Sequence, residues 1–370
     1  MATAVGVIFS NIHDDNIPEL SHNRTMASIP FGGRYRLIDF ALSNMVNAGI
    51  TTVGIVTKYN YQSLIDHLGS GKEWDLARKD GGIILLPPFS DKSGKLYTNR
   101  LEALSSLMSF LNKRQEKYVV MSDCDSVAKF DISDVIAYHE SKNADITMVT
   151  HFGEIERQSD YMLVNADEDD RVNEVKINPH LTAGEQVEFY VNVMVVNRQF
   201  LLNLVEDTVT HGYTSFENDI IAKQLNSLKI YKYRFDGYYA GIDSMAAYYK
   251  RNMELLNKEV RDELFGARDI YTKVRDSAPS KYGSEAVVRN SLISDGCEIE
   301  GTVENSILFR GVKVEKGAVI RNSIVMQDNI ICAHAELDCV ITNKNVVVGT
   351  RRKLSGCDSL PYFIQKGTRL

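Results

Sequence analysis

The sequence predicts an α/β domain with a mainly parallel sheet, followed by a parallel β-helix. From residue 1 to about 245, apolar runs of strand length alternate with segments whose apolar residues have helical spacing, as in βαβ units. In the last part, aliphatic residues recur six positions apart. We therefore divide the chain into an α/β domain over 1–245, a helix and linker over 246–284, and a repeat domain over 285–370.

The first domain begins with a predicted strand at Thr3–Phe9 and a helix at Arg36–Ala48. The next predicted elements are strands at Thr52–Thr57, Tyr118–Met121 and Thr147–Thr150 and helices at Tyr61–Leu68, Asn99–Asn112 and Ile132–His139. The region up to Arg234 is richer in strand, which indicates an insertion around a substrate pocket. In parallel sheets ligands bind beyond the carboxyl ends of the strands.

The last domain is recognised by its repeat. Leu308, Val314 and Ile320 are six residues apart, and Gly311 and Gly317 fall between them. Ordinary antiparallel strands would rarely keep this spacing. It is typical of hexapeptide repeats, in which each coil buries its aliphatic residue on the next. The pattern predicts an architecture and says little about chemistry.

The composition argues against several classes of protein. The net charge of −7 lacks the basic excess of a nucleic-acid-binding protein. No apolar run approaches the roughly 20 residues of a membrane span, and the N-terminus does not have a signal-peptide pattern. Five cysteines without a CxxC pair fit reduced thiols, and no histidine spacing predicts a metal site. We expect a cytoplasmic protein that binds neither nucleic acid nor membrane.

Several segments resemble the signature of ADP-glucose pyrophosphorylases, above all the eleven residues Pro30–Phe40 (PFGGRYRLIDF). The others are Leu42–Asn44, Gly54–Tyr59, Gly71–Leu76, Cys124–Asp131, Phe216–Ile221 and Ile242–Ser244. The resemblance covers almost the whole chain. It implies a Rossmann-like nucleotidyltransferase (GT-A-like) mixed-sheet domain followed by a left-handed parallel β-helix of hexapeptide repeats.

This family makes ADP-glucose from ATP and glucose 1-phosphate and releases pyrophosphate. The chemistry needs a glycine-rich loop whose backbone N–H groups approach the triphosphate. It also needs cations that stabilise the reacting phosphate and two carboxylates that hold Mg²⁺.

The triphosphate loop is altered in this chain. A gapless alignment places the family's GGxGTRL motif on Asn11–Ile17, so the glycines are absent and the arginine is Asn16. Asp14 and Asp15 fall where triphosphate oxygens would lie, and like charges there would repel them. The alternative is that both aspartates are solvated loop residues. The family's catalytic lysine corresponds to Met26, which carries no charge.

The metal and substrate residues are changed as well. Asp125 keeps the first metal carboxylate, although it could equally be a local loop cap, and the second aligns near Tyr238 with Asp236 two residues away. The resemblance implies that Asn178 occupies the position of the lysine that binds the sugar phosphate, with Lys176 as its possible substitute. It also implies Asp219 as a substrate-binding residue, and Asn99–Ala103 corresponds to the family's nucleotide-binding segment. We therefore predict no metal ligand set in this chain.

Family members bind anionic effectors, and the resemblance implies Arg36 as a contributor to such a site, for example for a sugar phosphate. Arg351, Arg352 and Lys353 form a second basic group, which could instead be a solvated tail.

The pattern resembles that of GlgD-type subunits, degenerate members that accompany an active one. It implies a regulatory or assembly subunit that needs no cofactor itself, in a hetero-oligomer, expected to be a tetramer, with a catalytic subunit that uses Mg²⁺. Three alternatives stay open: a weak nucleotidyltransferase using Asp125 and Asp236, a sugar-phosphate sensor, and a hexapeptide acyltransferase, which His334 alone would have to serve.

Overall fold

A computed structural model describes residues 3–87, 97, 99–155, 161–180, 182 and 184–370. The chain divides into two units. Unit 1 comprises Met1–His13 and Phe40–Tyr239, and unit 2 comprises Asp14–Asp39 and Ala240–Leu370. The division expected from the sequence placed 14–39 in the first domain, whereas in the structure this segment belongs to unit 2.

The described strands of unit 1 include a nine-stranded mixed sheet. Its strands are β1 (Ala4–Phe9), β2 (Thr52–Val56), β3 (Gly82–Leu86), β4 (Tyr118–Asp123), β5 (Ile146–Glu154), β6 (Met162–Ala166), β7 (Val172–Ile177), β8 (Gln186–Asn197) and β9 (Ile230–Arg234). The order β7-β6-β8-β4-β1-β2-β3 makes up most of the sheet, and β5 pairs with β8 and β9. Strands β4, β1, β2 and β3 are parallel, and β8 runs antiparallel to β4. Short strands also lie at Ser126–Ala128 and Tyr239–Gly241.

Helices connect the parallel strands, as the alternating pattern predicts. Among the described residues, α-helices lie at Pro18–Ser21, Leu37–Asn47, Gln62–Leu68, Arg100–Ser106, Met108–Asn112, Ile132–Ser141, Arg198–His211, Met245–Met253 and Lys258–Phe265. A π-helix lies at Phe216–Ala222, and 3₁₀ turns lie at Asp14–Asn16, Met26–Ser28, Lys72–Trp74 and Glu254–Leu256. All six residues of β1 are buried, because the central strand of a helix-covered parallel sheet has no solvated face.

Unit 2 contains the β-helix and a small hairpin of Pro30–Phe31 and Tyr35–Arg36. Its three parallel sheets have five strands each among the described residues. The first holds Lys281–Tyr282, Glu298–Ile299, Lys313–Val314, Ile330–Ile331 and Val347–Val348; the second Val287–Arg289, Thr302–Glu304, Val319–Arg321, Glu336–Asp338 and Lys353–Ser355; the third Leu292–Ile293, Ile307–Leu308, Ile324–Val325, Val340–Thr342 and Tyr362–Ile364. This confirms the predicted left-handed β-helix.

The corners of the β-helix explain its period. Residues with positive φ recur at intervals of six, six and five along the coils. They are Asn305, Gly311, Gly317, Asn322, Asp328, His334, Cys339, Asn345 and Arg351. One full coil therefore takes 17 residues, and the six-residue period of the sequence is shortened at every third corner. Asparagine and aspartate tolerate the left-handed conformation better than most residues, which accounts for their frequency here.

Aliphatic side chains fill the interior of the coils. Ile320 is fully buried and pairs in register with Val303 on one side and Leu337 on the other. Serine hydroxyls bridge successive coils: the backbone N–H of Ser323 donates to Ser306 Oγ at 3.1 Å. Within the described part of the chain, no helix is long and apolar enough to cross a membrane.

Candidate functional site

Two aspartates lie where the central strands of unit 1 end. Strand β4 ends at Asp123, which pairs in register with Phe9, the last residue of the parallel β1. The two carboxyl ends therefore lie side by side at the sheet edge where such folds bind ligands. Asp123 is buried, and Asp125, the carboxylate implied by the resemblance, follows two residues later.

His13 sits against both carboxylates. Its Nε2 atom lies 2.7 Å from Oδ2 of Asp123 and 3.6 Å from Oδ2 of Asp125. Burial alone would lower the pKa of His13, but the charges of Asp125 and Asp123 outweigh burial and raise it to about 9. His13 is therefore a cation at neutral pH.

Arg100 supplies a second cation from the start of the helix Arg100–Ser106. Its Nη2 atom donates to Oδ2 of Asp123 at 2.7 Å, and its Nε lies 3.3 Å from Oε1 of Glu217. The guanidinium also lies 5.3 Å from the centre of the Phe9 ring. Burial would lower the pKa of Arg100, but Asp123 holds it above its usual range. Asn99 caps this helix by accepting the N–H of Glu102, which places Arg100 at its first residue.

Strand β8 closes the same site with two further side chains. Asn192 donates from Nδ2 to Oδ2 of Asp125 at 2.7 Å, and its backbone has a φ of 59°. The hydroxyl of Tyr190 is buried and has no hydrogen-bond partner among the described residues. Burial raises the pKa of Tyr190, so the phenol stays neutral.

The chemical character of this cluster follows from its pairings. Burial would raise the pKa of Asp123, but Arg100 and His13 lower it, so Asp123 is ionised. Burial raises the pKa of Asp125. No group of three or more His, Cys, Asp or Glu side chains in the described ranges is arranged to hold a metal ion. The Mg²⁺ that the family resemblance implies does not fit these residues, because positive side chains already contact both carboxylates.

The other positions carried over for substrate binding lie in local contacts. Asn178 is exposed, follows β7 with a φ of 49°, and donates its backbone N–H to the carbonyl oxygen of Tyr161 at 2.9 Å. Lys176 Nζ lies 3.6 Å from Oε2 of Glu174, and both side chains are about half exposed.

Asp219 accepts hydrogen bonds from the backbone N–H groups of Thr214 and Ser215 and from Lys223. Lys223 and these N–H groups hold the pKa of Asp219 far below its usual range. Its carboxylate therefore acts as a local cap, and its neighbour Glu217 is the residue of this segment that reaches the cluster. Asp236 is exposed and pairs with Arg234.

The altered triphosphate loop has a structural explanation within unit 2. Oδ1 of Asp14 accepts the backbone N–H of Met26 at 2.6 Å, and Asp14 is buried. The interpretation of Asp14 as a solvated loop residue is therefore wrong, whereas Asp15 is exposed. Met26 is almost fully buried. Asp14 and Met26 therefore stabilise the local fold of this segment.

Unit 2 also gathers four positively charged side chains around Lys344. Burial lowers the pKa of Lys344 to about 6, and the positive charges of Arg36, Arg24, Arg275 and Lys366 lower it in the same direction. Oδ1 of Asn343 accepts from Nη2 of Arg24 at 2.7 Å and from the backbone N–H of Lys344 at 2.9 Å. Nη1 of Arg24 is buried and has no hydrogen-bond partner among the described residues.

We call Arg24, Arg36, Arg275, Lys344 and Lys366 the basic cluster. Burial is the largest cause of the lowered pKa of Lys344, and the positive charges of the other four members add to it. Arg36, implied as a regulatory residue by the resemblance, is therefore placed with four cations that sequence reasoning missed. The other predicted basic group is exposed, and its Lys353 pairs with Glu336 at 2.9 Å.

Sequence reasoning also missed most of the cluster around Asp123. Asp123 lies two residues before Asp125 at the end of a buried run, which is a signal that the sequence does carry. His13, Arg100, Tyr190 and Glu217 come from four distant segments, and only the sheet topology brings them together.

Comparison with known proteins agrees with this architecture. The model of the nucleotidyl transferase family matches residues 17–262, and that of the GlmU-like C-terminal hexapeptide family matches residues 277–359. The fold and the site thus define a nucleotidyltransferase-type domain joined to a hexapeptide β-helix.

Curated relatives cover nearly the whole chain. The glycogen biosynthesis protein GlgD of Geobacillus stearothermophilus is 38% identical over 98% of this chain and 96% of its own length. The protein of that name from Bacillus subtilis is 33% identical with the same coverage. Glucose-1-phosphate adenylyltransferase of Clostridium perfringens is 30% identical over 95% of this chain and 96% of its own. The chain belongs to the family of ADP-glucose pyrophosphorylases and their GlgD relatives.

Proposed function

We propose that this chain is a catalytically degenerate subunit that supports glucose-1-phosphate adenylyltransferase in glycogen biosynthesis. Its partner is a catalytic ADP-glucose pyrophosphorylase subunit, with which it forms a heterotetramer in the cytoplasm. The catalytic subunit carries out the Mg²⁺-dependent synthesis of ADP-glucose. This chain contributes assembly and regulation and requires no cofactor.

The observation that carries the proposal is the state of the two aspartates. A catalytic site of this kind needs carboxylates free to hold a metal on the phosphates. Here Asp123 is bound by Arg100 and His13, and Asp125 is bound by Asn192. The lysine position occupied by Met26 removes a cation from the expected chemistry as well. Removing one preorganised group typically costs about a hundred- to a thousand-fold in rate, and several are changed together here.

The regulatory part of the proposal rests on the basic cluster. The four cations around Lys344 attract an anion with more than one negative charge, such as a sugar phosphate. An effector changes activity only if it binds one state of the assembly better than another. A typical coupling of about 1–3 kcal/mol would change effector or substrate affinity roughly 5- to 150-fold.

The test is an assay of the chain alone and mixed with a catalytic subunit of the family. We expect no useful synthesis of ADP-glucose from the chain alone and an increased activity or effector response in the mixture. Asp125→Ala in this chain should leave the mixed activity nearly unchanged. The proposal fails if the chain alone turns over at tens per second. It also fails if Asp125→Ala removes most of the mixed activity while assembly is intact, which would favour a working nucleotidyltransferase.

A further inference from the structure

We infer that Arg100 and His13 take the place of the divalent cation in unit 1, so that Asp123 and Asp125 form an internally neutralised cluster that does not bind metal. The inference deepens the proposed function, since it concerns the same site. Its test measures metal binding and stability instead of activity, so the two can fail separately.

Nitrogen donors occupy the Oδ2 atoms of Asp123 and Asp125. Oδ2 of Asp123 receives both Nη2 of Arg100 and Nε2 of His13, each at 2.7 Å. Oδ2 of Asp125 receives Nδ2 of Asn192 at 2.7 Å and lies 3.6 Å from the His13 ring. Magnesium requires several oxygen ligands in near-octahedral geometry, at about 2.0–2.1 Å. Oδ2 of each aspartate is already used by a nitrogen donor, and Oδ1 of each is buried without a hydrogen-bond partner among the described residues, so only one oxygen of each is left for a metal.

The permanence of the positive charge is the second argument. A guanidinium stays protonated at any pH that a folded protein tolerates, and it has no lone pair to offer a metal. Arg100 is only 5% exposed, and Glu217 and the Phe9 ring contact it from other directions. Its charge therefore cannot leave when a metal ion arrives. A divalent cation would have to enter beside a fixed positive charge in a buried site, where such repulsion is poorly screened.

The need for compensation is the third argument. Asp123 is buried and the Asp125 side chain is only 14% exposed, and carboxylates in such places are tolerated only if opposite charges or hydrogen bonds satisfy them. Metal-dependent sites obtain that compensation from the ion. This chain supplies it from His13, just after β1, and from Arg100, at the start of a helix. The Oδ2 atoms of both aspartates are thus compensated by side chains of unit 1 itself.

The first experiment titrates Mn²⁺ alone into the full-length chain and follows the electron paramagnetic resonance signal of the free ion. We expect no specific binding by the wild-type chain at millimolar Mn²⁺. Stoichiometric binding that Asp125→Asn abolishes would overturn the inference. In that case the chain could still activate a partner. A metal-free chain that fails to affect any partner would instead contradict the proposed function alone.

The second experiment is a double-mutant cycle measured by urea unfolding. We expect His13→Gln to lower the unfolding midpoint, because it leaves two carboxylates facing one guanidinium. Adding Asp125→Asn to that variant should raise the midpoint again. The matched control His180→Gln changes an exposed histidine of unit 1 and should show no coupling with Asp125→Asn. If Asp125→Asn lowers the midpoint equally with and without His13, the charges do not compensate each other and the inference is wrong.

Discussion

Anion binding to the basic cluster should take up a proton, and Lys344 is the residue that would take it. With a pKa of about 6, this amine is roughly 1% protonated at pH 8. A bound dianion adds negative charge that stabilises the protonated amine and moves its pKa back toward the ordinary value of about 10.4. Binding of sulfate at pH 8 is therefore expected to take up close to one proton per site.

The assay is isothermal titration calorimetry of the chain with sulfate, which does not itself titrate near this pH. The measured heat is compared between two buffers of different ionisation enthalpy, and its dependence on the buffer gives the number of protons taken up. Lys344→Met should remove the uptake and weaken binding. Lys353→Met is the control, because Lys353 is an exposed lysine paired with Glu336. Sulfate binding without proton uptake in the wild-type chain would refute the reasoning.

The same pKa has a consequence for stability. Between pH 6 and about 10.4 the unfolded chain binds more protons at Lys344 than the folded chain does. The free energy of unfolding should therefore rise with pH across this window. Lys344→Met should reduce that slope, and saturating sulfate should reduce it as well. Thermal unfolding at several pH values, with and without sulfate, measures both effects.

Three further predictions concern unit 2 and assembly. Asp14→Ala should destabilise the chain by roughly 1–3 kcal/mol, because it leaves the buried N–H of Met26 without its acceptor. The control Asp15→Ala changes an exposed residue and should have little effect. Urea unfolding compares the stability of the two variants. Ile320→Asp should lower the free energy of unfolding by ~4 kcal/mol and remove any activation of a partner, because it buries a carboxylate between coils. Circular dichroism measures the stability and the mixed assay measures the activation. An unchanged melting temperature would contradict this prediction. Light scattering should find an oligomer, because the end coils of a solenoid present strand edges that a partner can cover, and a stable monomer with and without a catalytic subunit would contradict this.

The sequence predicted the architecture well because each element leaves a local pattern. The aliphatic period that includes Leu308, Val314 and Ile320 predicted the β-helix, and the structure shows these residues buried in its interior, one in each of the three sheets. The same pattern could not show that one coil takes 17 residues, because the five-residue interval falls at corners where Asn322 or Cys339 replaces glycine. Corner conformation depends on backbone strain, which residue type indicates only weakly.

The candidate site was less predictable, for a physical reason. The missing glycines in the triphosphate loop and the methionine at position 26 indicate a loss of catalytic activity, because a missing residue type can be read directly from a sequence. What replaced that chemistry depends on which distant side chains meet Asp123. The contact of Arg100 with Asp123 spans 23 residues, and that of His13 spans 110. Only the order of β4, β1 and β8 in the sheet brings them together.

Because residues 14–39 belong to unit 2, the two units are not consecutive in the sequence, which limits where the chain can be divided into fragments. Within unit 2, Arg24 is bonded to Asn343, Gly32 to Asn252 and Arg34 to Asp295. A fragment ending near residue 245 would keep this segment and lose all three partners, and no single cleavage separates the units cleanly. The two units therefore cannot be expressed or exchanged as two consecutive fragments, and unit 2 is complete only when residues 14–39 and 240–370 are both present.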